Sequence, residues 1–272
     1  MRFRRTLSFI VLVLQLLASG CSIARVQSPE TYFSGEQLVL VKAIRQGDPA
    51  EVERLARALA RDALNRPGAQ DMTLLFFALQ RAFGEKPQPL QVMTVLVRAG
   101  ADPLQRVPNL GSVLGVSLRA KSPLYVKALL DAGVSPNTVE GDTPILFDAA
   151  NEHTAETLKL LLDRGADIDK IDSLGNTALM EALTSMQLDQ VSYLLDRGAS
   201  PRFVNINGVS FAGQLQFQIG RQQPGSLAHR EMLEIRDRLI GMGVTLPPAS
   251  RDLERERMRS RGEVPGKLRA VQ

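Results

Sequence analysis

The hexapeptide LLDRGA stands at residues 161–166 and again at 194–199, and this spacing of 33 residues is the strongest constraint on the fold. The glycines inside and before it keep the same beat: Gly100, Gly133, Gly165 and Gly198 are 33, 32 and 33 apart. Each follows an apolar stretch (VMTVLVRAG, YVKALLDAG, TLKLLLDRG, VSYLLDRG) and precedes a small residue or valine (GADP, GVSP, GADI, GASP). A chain that repeats itself at such a period is a row of like units. No unit can bury its apolar face alone, and stacking on its neighbours does so.

The composition of each period predicts two helices and a turn. Leu158, Leu161 and Leu162, then Val191, Leu194 and Leu195, fall at the i, i+3, i+4 spacing of one buried helix face. Gly165 and Gly198 end that helix, where the backbone turns left-handed and a side chain is disfavoured. Upstream, Thr143 and Thr177 are placed to cap a first helix, with Pro144 at its first position, where a missing N–H costs nothing. Apolar residues make up 44% of the chain, mostly Leu, Val and Ala, and aromatics only 5%, which suits helices packed on helices.

GNTALMEAL at 175–183 and, with one extra residue, GDTPILFDAA at 141–150 resemble the G-x-T-P-L-H-x-A-A signature of ankyrin repeats. MTLLFFAL at 72–79, GSVLGVSL at 111–118 and GVSFAGQL at 208–215 are weaker copies. The expected fold class is therefore all-α, an ankyrin-type helix-turn-helix solenoid. It spans residues 36–246 with five repeats, at 71–104, 109–137, 140–170, 173–202 and 205–246. Before them LVLVKAIRQGDPAEVERLARAL at 38–59 resembles an N-terminal half-unit. Two insertions interrupt the array: FGEKPQP at 83–89, whose prolines forbid a continuous helix, and IGRQQPGSLAHR at 219–230. Such insertions go into loops, often on the binding face, though the first could be slack between helices.

The first 21 residues, MRFRRTLSFIVLVLQLLASGC, have a basic head, an apolar run from Leu7 to Ala18 and small residues before Cys21. This is the layout of a secretory signal. The run is shorter than the ~20 residues a spanning helix needs. Cys21 is the only cysteine, so no internal disulfide forms. LASGC resembles the lipobox of bacterial lipoproteins, with Ala18 where leucine is commonest. That resemblance implies a signal peptide over 1–20, thioether and acyl lipid (palmitate or similar) on Cys21, and a lipidated tether over 21–35. Multiple acyl chains anchor stably, whereas one is marginal. It also implies a bacterial cell envelope location, facing the periplasm. Ser22 follows the cysteine, where aspartate would retain the protein at the inner membrane, so the outer membrane is favoured over the inner. Residues 247–272 read as a charged, flexible, solvated tail, with a polar capping helix over DLERERMRSR as the alternative.

Charge and motif argue for binding rather than catalysis. Without Arg2, Arg4 and Arg5 the balance is 30 basic to 29 acidic side chains, which gives no clustered positive field for nucleic acid. Of the two histidines, His153 falls at the turn between a repeat's two helices, where the ankyrin resemblance often has glycine, and His229 in an insertion; neither has a second ligand at metal spacing, and no G-x-S-x-G or phosphate loop occurs. No cofactor, metal or small-molecule substrate is expected. The dense charges Asp163, Arg164, Asp167, Asp169 and Asp172 fit helix ends and turn tips. The ankyrin resemblance implies a protein partner gripped by turn tips and by the exposed side of the first helices. On this chain those positions are Glu140, Lys170, Ile171, Ser173, Leu174 and Asn176 at the tips, joined by Thr138, Val139, Val204 and Asn205. On the first helices they are Asn151, Glu152, His153, Glu181 and Met186, with Thr184 and Ser185. Ile171 and Leu174 are apolar residues in a wet loop, equally readable as interface anchors or as turn packing. Two functions follow: a membrane-held adaptor or scaffold, or an immunity protein that neutralises a secreted antibacterial effector in the periplasm.

Overall fold

A computed structural model describes residues 28–262, and Cys21 with its lipobox-like flank lies outside them. Helical hairpins stack side by side along these residues. The first hairpin pairs α1 (Gly35–Gln46) with α2 (Pro49–Ala58), and a short α3 (Arg61–Asn65) follows. The next two are α4 (Leu74–Ala82) with α5 (Pro87–Arg98), and α6 (Val113–Leu118) with α7 (Leu124–Asp131). Then come α8 (Ile145–Asp148) with α9 (Ala155–Asp163), and α10 (Ala178–Thr184) with α11 (Leu188–Asp196). The last pairs α12 (Phe211–Ile219) with α13 (Leu227–Gly241), and α14 (Arg251–Ser260) closes the series. First helices pack in one row (α4, α6, α8, α10, α12), and second helices pack behind them.

The periodic leucines do what their spacing predicts. Leu158, Leu161, Val191 and Leu194 are at most 1% exposed and lie in one continuous apolar core with the first-helix residues Leu146, Leu179 and Leu183. Full burial of such a side chain contributes roughly 1.5–3 kcal/mol. Gly165 (φ 87°) and Gly198 (φ 92°) leave each helix in the left-handed region, and Ala166 and Ala199 donate back to Leu161 and Leu194 at 2.9 Å.

Between hairpins the chain projects as short antiparallel fingers, the only strands among the described residues. β1 (Arg106–Val107) pairs with β2 (Gly111–Ser112), and β3 (Val139–Glu140) with β4 (Thr143–Pro144). Single bridges, Ile171 to Thr177 and Val204 to Ser210, mark the next two fingers. Adjacent fingers are bonded together: Ile206 N donates to Leu174 O (2.9 Å), and Asn205 Nδ2 to Asn176 Oδ1 (2.8 Å).

Five sequence expectations change. Thr177 does cap α10, accepting from Met180 N, as Thr73, Ser112 and Ser210 cap α4, α6 and α12. Thr143 does not: it lies in β4, and Pro144 takes the cap position because the extra residue of that repeat shifts the start of α8 to Ile145. The N-terminal unit is a complete hairpin rather than a half, with Asp48 capping α2 through Ala50 N and Glu51 N. The far end of the tether is packed, since Phe33 is 3% exposed and meets the Phe77 ring edge-on at 6.0 Å. The tail forms α14, its capping alternative, over residues that the flexible reading left free. Met258 is buried, and Arg255 Nε donates to Asn207 O on the last finger (3.3 Å). Pro87 and Pro89 fall in the first turn of α5, so the first insertion breaks the helix at Phe83–Lys86. Of the second, residues 227–230 join a lengthened α13.

Candidate protein-binding face

The fingers and first helices share one face, and its polar groups recur with the repeat. Three places past each helix's first residue the chain sets Asp148, Glu181 and Gln214, each 33 residues from the next. Asp148 and Glu181 are half-buried, and burial pushes both carboxyls above their ordinary range. Arg119 opposes the shift at Asp148 while Glu140 adds to it; a Ser185 hydrogen bond opposes it at Glu181 while Asp172 and Asp148 add to it. Glu140 stands on β3, its Oε1 accepting from Ser112 Oγ at 2.8 Å and facing Arg106 Nη1 at 3.4 Å. Gly115 makes room for it: a Cβ there would lie 2.8 Å from Glu140 Oε2. Above these acids the fingertips expose Leu110, Val139 and Leu174, the last 44% exposed.

The sequence-chosen residues divide three ways. Glu140, Ser173, Leu174 and Glu181 lie on this face. Lys170 and Asn176 sit on the fingers but are engaged in holding them: Lys170 Nζ donates to Asn137 O (2.5 Å), and Asn176 Nδ2 to Asp172 Oδ2 (2.9 Å). Ile171 is half-buried beside its Thr177 bridge. Asn151, Glu152, His153 and Met186 are not on a first helix. α8 ends at Asp148 and α10 at Thr184, so all four fall in the turns between paired helices, at the end away from the fingers. Asn151 is an internal tie, its Oδ1 accepting from Ser185 Oγ (3.0 Å) and its carbonyl from Gln190 Nε2 (2.7 Å). Glu152 Oε1 and His153 Nε2 are 3.2 Å apart and exposed. His153 (φ 69°) and Met186 (φ 58°) occupy the left-handed position that glycine favours.

Sequence reasoning missed Arg106, Leu110 and Asp148. Asp148 was within reach: counting one period back from Glu181 arrives at it. The charges between 163 and 172 prove to be structural. Asp163 pairs with Arg197 (2.9 Å), Arg164 with Asp131 (2.8 Å), and Asp172 Oδ1 accepts from Leu174 N and Asn176 N (both 2.8 Å). Among the described residues no group of three His, Cys, Asp or Glu side chains could hold a metal ion.

Stacked hairpins with bonded fingers and an uninterrupted lateral face define a repeat solenoid, a fold that presents surface. The fold is the ankyrin-repeat fold. A family model described as ankyrin repeats matches residues 116–205 in three copies. The chain is similar to the mouse (Mus musculus) B-cell lymphoma 3 protein homolog, 33% identical over 129 residues, covering 45% of this chain and 28% of that protein. It is also similar to potassium channel AKT2/3 of Arabidopsis thaliana, 26% identical over 227 residues, covering 79% of this chain and 27% of that protein. These matches thus span little more than a quarter of either relative. Among solved structures it resembles the ankyrin repeat domain of Bcl-3, with TM-score 0.55, 27% identity, and 73% of this chain and 84% of that one covered. The ankyrin repeat domain of human ASB11 shares the fold at TM-score 0.51 and 21% identity, covering 90% of this chain and 96% of that one. Ankyrin repeats mediate protein–protein contact.

Proposed function

We propose that this protein is a lipid-anchored bacterial envelope lipoprotein, held through Cys21, that works as an adaptor by gripping a protein partner with the finger and first-helix face. The single observation that carries the binding reading is the pairing of exposed apolar tips (Leu110, Val139, Leu174) with half-buried carboxylates (Asp148, Glu181) on that face. Apolar anchors ringed by polar groups are what interfaces use. Carboxyls that burial holds above their ordinary range gain from a nearby cation, so the partner segment carries Lys or Arg beside an apolar side chain. The role is binding rather than catalysis. Anchoring rests on the basic head, short apolar run and LASGC of the N-terminus.

The test is a pair of variants followed in the native cell. Cys21→Ser should leave the membrane fraction while keeping its partner. Asp148→Asn with Glu181→Gln should stay at the membrane and lose most of the captured partner. A Cys21→Ser protein still sedimenting with membrane would overturn the anchor. Undiminished capture by the double variant would overturn the face.

A further inference from the structure

Behind the fingers, the glycine turns at Gly133 and Gly165 are each tied to the next turn by the residue four places after the glycine. Asn137 shows the pattern: its Nδ2 donates to Gly165 O (3.1 Å) and its Oδ1 accepts from Asp167 N (2.7 Å). Asn65, at the end of α3, treats the following turn identically, donating to Gly100 O (2.9 Å) and accepting from Asp102 N (2.7 Å). Asp169 continues the series by accepting from Ser200 N (2.9 Å). At two joints a long side chain answers in the opposite direction: Gln105 Nε2 donates to Asn65 O (2.8 Å) and Lys170 Nζ to Asn137 O (2.5 Å).

The joint between the Gly100 and Gly133 turns has neither bond. Its ladder position is Leu104, which can neither donate nor accept through its side chain. Its answering position is Thr138, whose hydroxyl donates to Ser135 O (2.7 Å) inside its own turn. Among the described residues Gly133 O, Ser135 N and Leu104 O have no hydrogen-bond partner within the protein, and Gly133 and Ser135 are exposed. Here the surface opens into a groove of about 700 Å³, with Asn65, Val97, Leu104, Val134, Ser135 and Thr138 among its walls.

We propose that this groove is a second recognition site, which takes the side-chain carboxamide of an asparagine on a protein partner, with an apolar neighbour of that asparagine resting on Leu104 and Val134. The chemistry follows from what the turn offers. Gly133 O can accept a hydrogen bond and Ser135 N can donate one, both with a single small planar group. A carboxylate only accepts, and an ammonium or guanidinium only donates; a carboxamide does both. The two flanking joints show that an asparagine side chain spans this pair of backbone groups at 2.7–3.1 Å. The site rests on the reading that the array binds protein, and lies off the finger and first-helix face.

The test is a titration of the isotope-labelled protein followed by amide NMR. The probes are N-acetyl-asparagine methylamide and, as controls, the matching aspartate and leucine derivatives. The asparagine probe should shift the Ser135 N–H saturably, and the controls should not. Leu104→Asn fills the joint from within and should weaken the response by about tenfold or more, the loss of roughly one well-made pair of hydrogen bonds. Leu104→Ala leaves the groove and should keep the response. An unmoved Ser135 signal, or equal shifts with all three probes, would overturn the site, as would an undiminished response in Leu104→Asn. Such a failure, with capture through Asp148 and Glu181 intact, would remove the groove and leave the main face standing.

Discussion

Asp163 Oδ1 and Arg197 Nη1 are 2.9 Å apart, and they are the Asp and the Arg of two successive LLDRGA copies. The same bond joins Asp131 to Arg164 and Asp196 to Arg238, each at 2.8 Å. The acid of one repeat therefore meets the base of the next, and the repeated spelling is the trace of a ladder along the second helices. These pairs are exposed, and exposed pairs hold little free energy and are screened by salt. Arg197→Ala should lower the thermal unfolding midpoint only slightly, and the difference should close in concentrated salt. A large, salt-insensitive loss would show that the ladder does more than align the repeats.

Ser112 is fully buried and makes two bonds, accepting from Gly115 N and donating to Glu140 Oε1, both at 2.8 Å. It caps α6 and pins the next finger at once. Ser112→Ala should cost about 1–2 kcal/mol in chemical denaturation, with Ser112→Thr much milder. Amide exchange should quicken on residues 139–144 before it does elsewhere.

His153 and Met186 hold left-handed backbone one period apart, where a Cβ is crowded. His153→Gly and Met186→Gly should each stabilise the array by about 0.5–1 kcal/mol, the relief of strain exceeding the entropy of the added glycine. Denaturant midpoints with unchanged slopes would check this, and destabilisation by both would refute it.

Burial holds Asp148 and Glu181 above the ordinary carboxylate range, so the folded chain binds their protons more readily than the unfolded chain does. That contribution to stability is complete below the unfolded pKa values and is lost as pH rises through the folded ones. The Asp148→Asn, Glu181→Gln variant removes the loss. It should be more stable than its parent at neutral pH, with the gap closing on the acid side of the carboxylate range. Asp131, held low chiefly by its bond to Lys127 with Arg164 adding, contributes the opposite slope equally to both proteins.

The solenoid was legible because its period is written in side chains that cannot be exchanged freely: the leucines of the second helix and the glycine that ends it. Helix ends were less legible. One turn is all that α8 makes, so Asn151 to His153 fall past its end, although the ankyrin resemblance had placed them on the first helix. The site was half legible. Glu181 and Leu174 stand where the repeat puts them, but nothing in the letters says that Glu140 is engaged by Ser112, or that Asn176 belongs to Asp172 and Asn205. Those are bonds between neighbouring fingers, and they depend on how the fingers lean together.

The most direct test of the binding face is photo-crosslinking in the native cell from a single reactive residue. It is placed either at Leu174, on the fingertip, or at Asp189, exposed on α11 behind it. Position 174 should yield a discrete protein adduct that Asp148→Asn with Glu181→Gln abolishes, and position 189 should yield none. Adducts from 189 alone, or none from 174, would contradict a partner held on the finger and first-helix face.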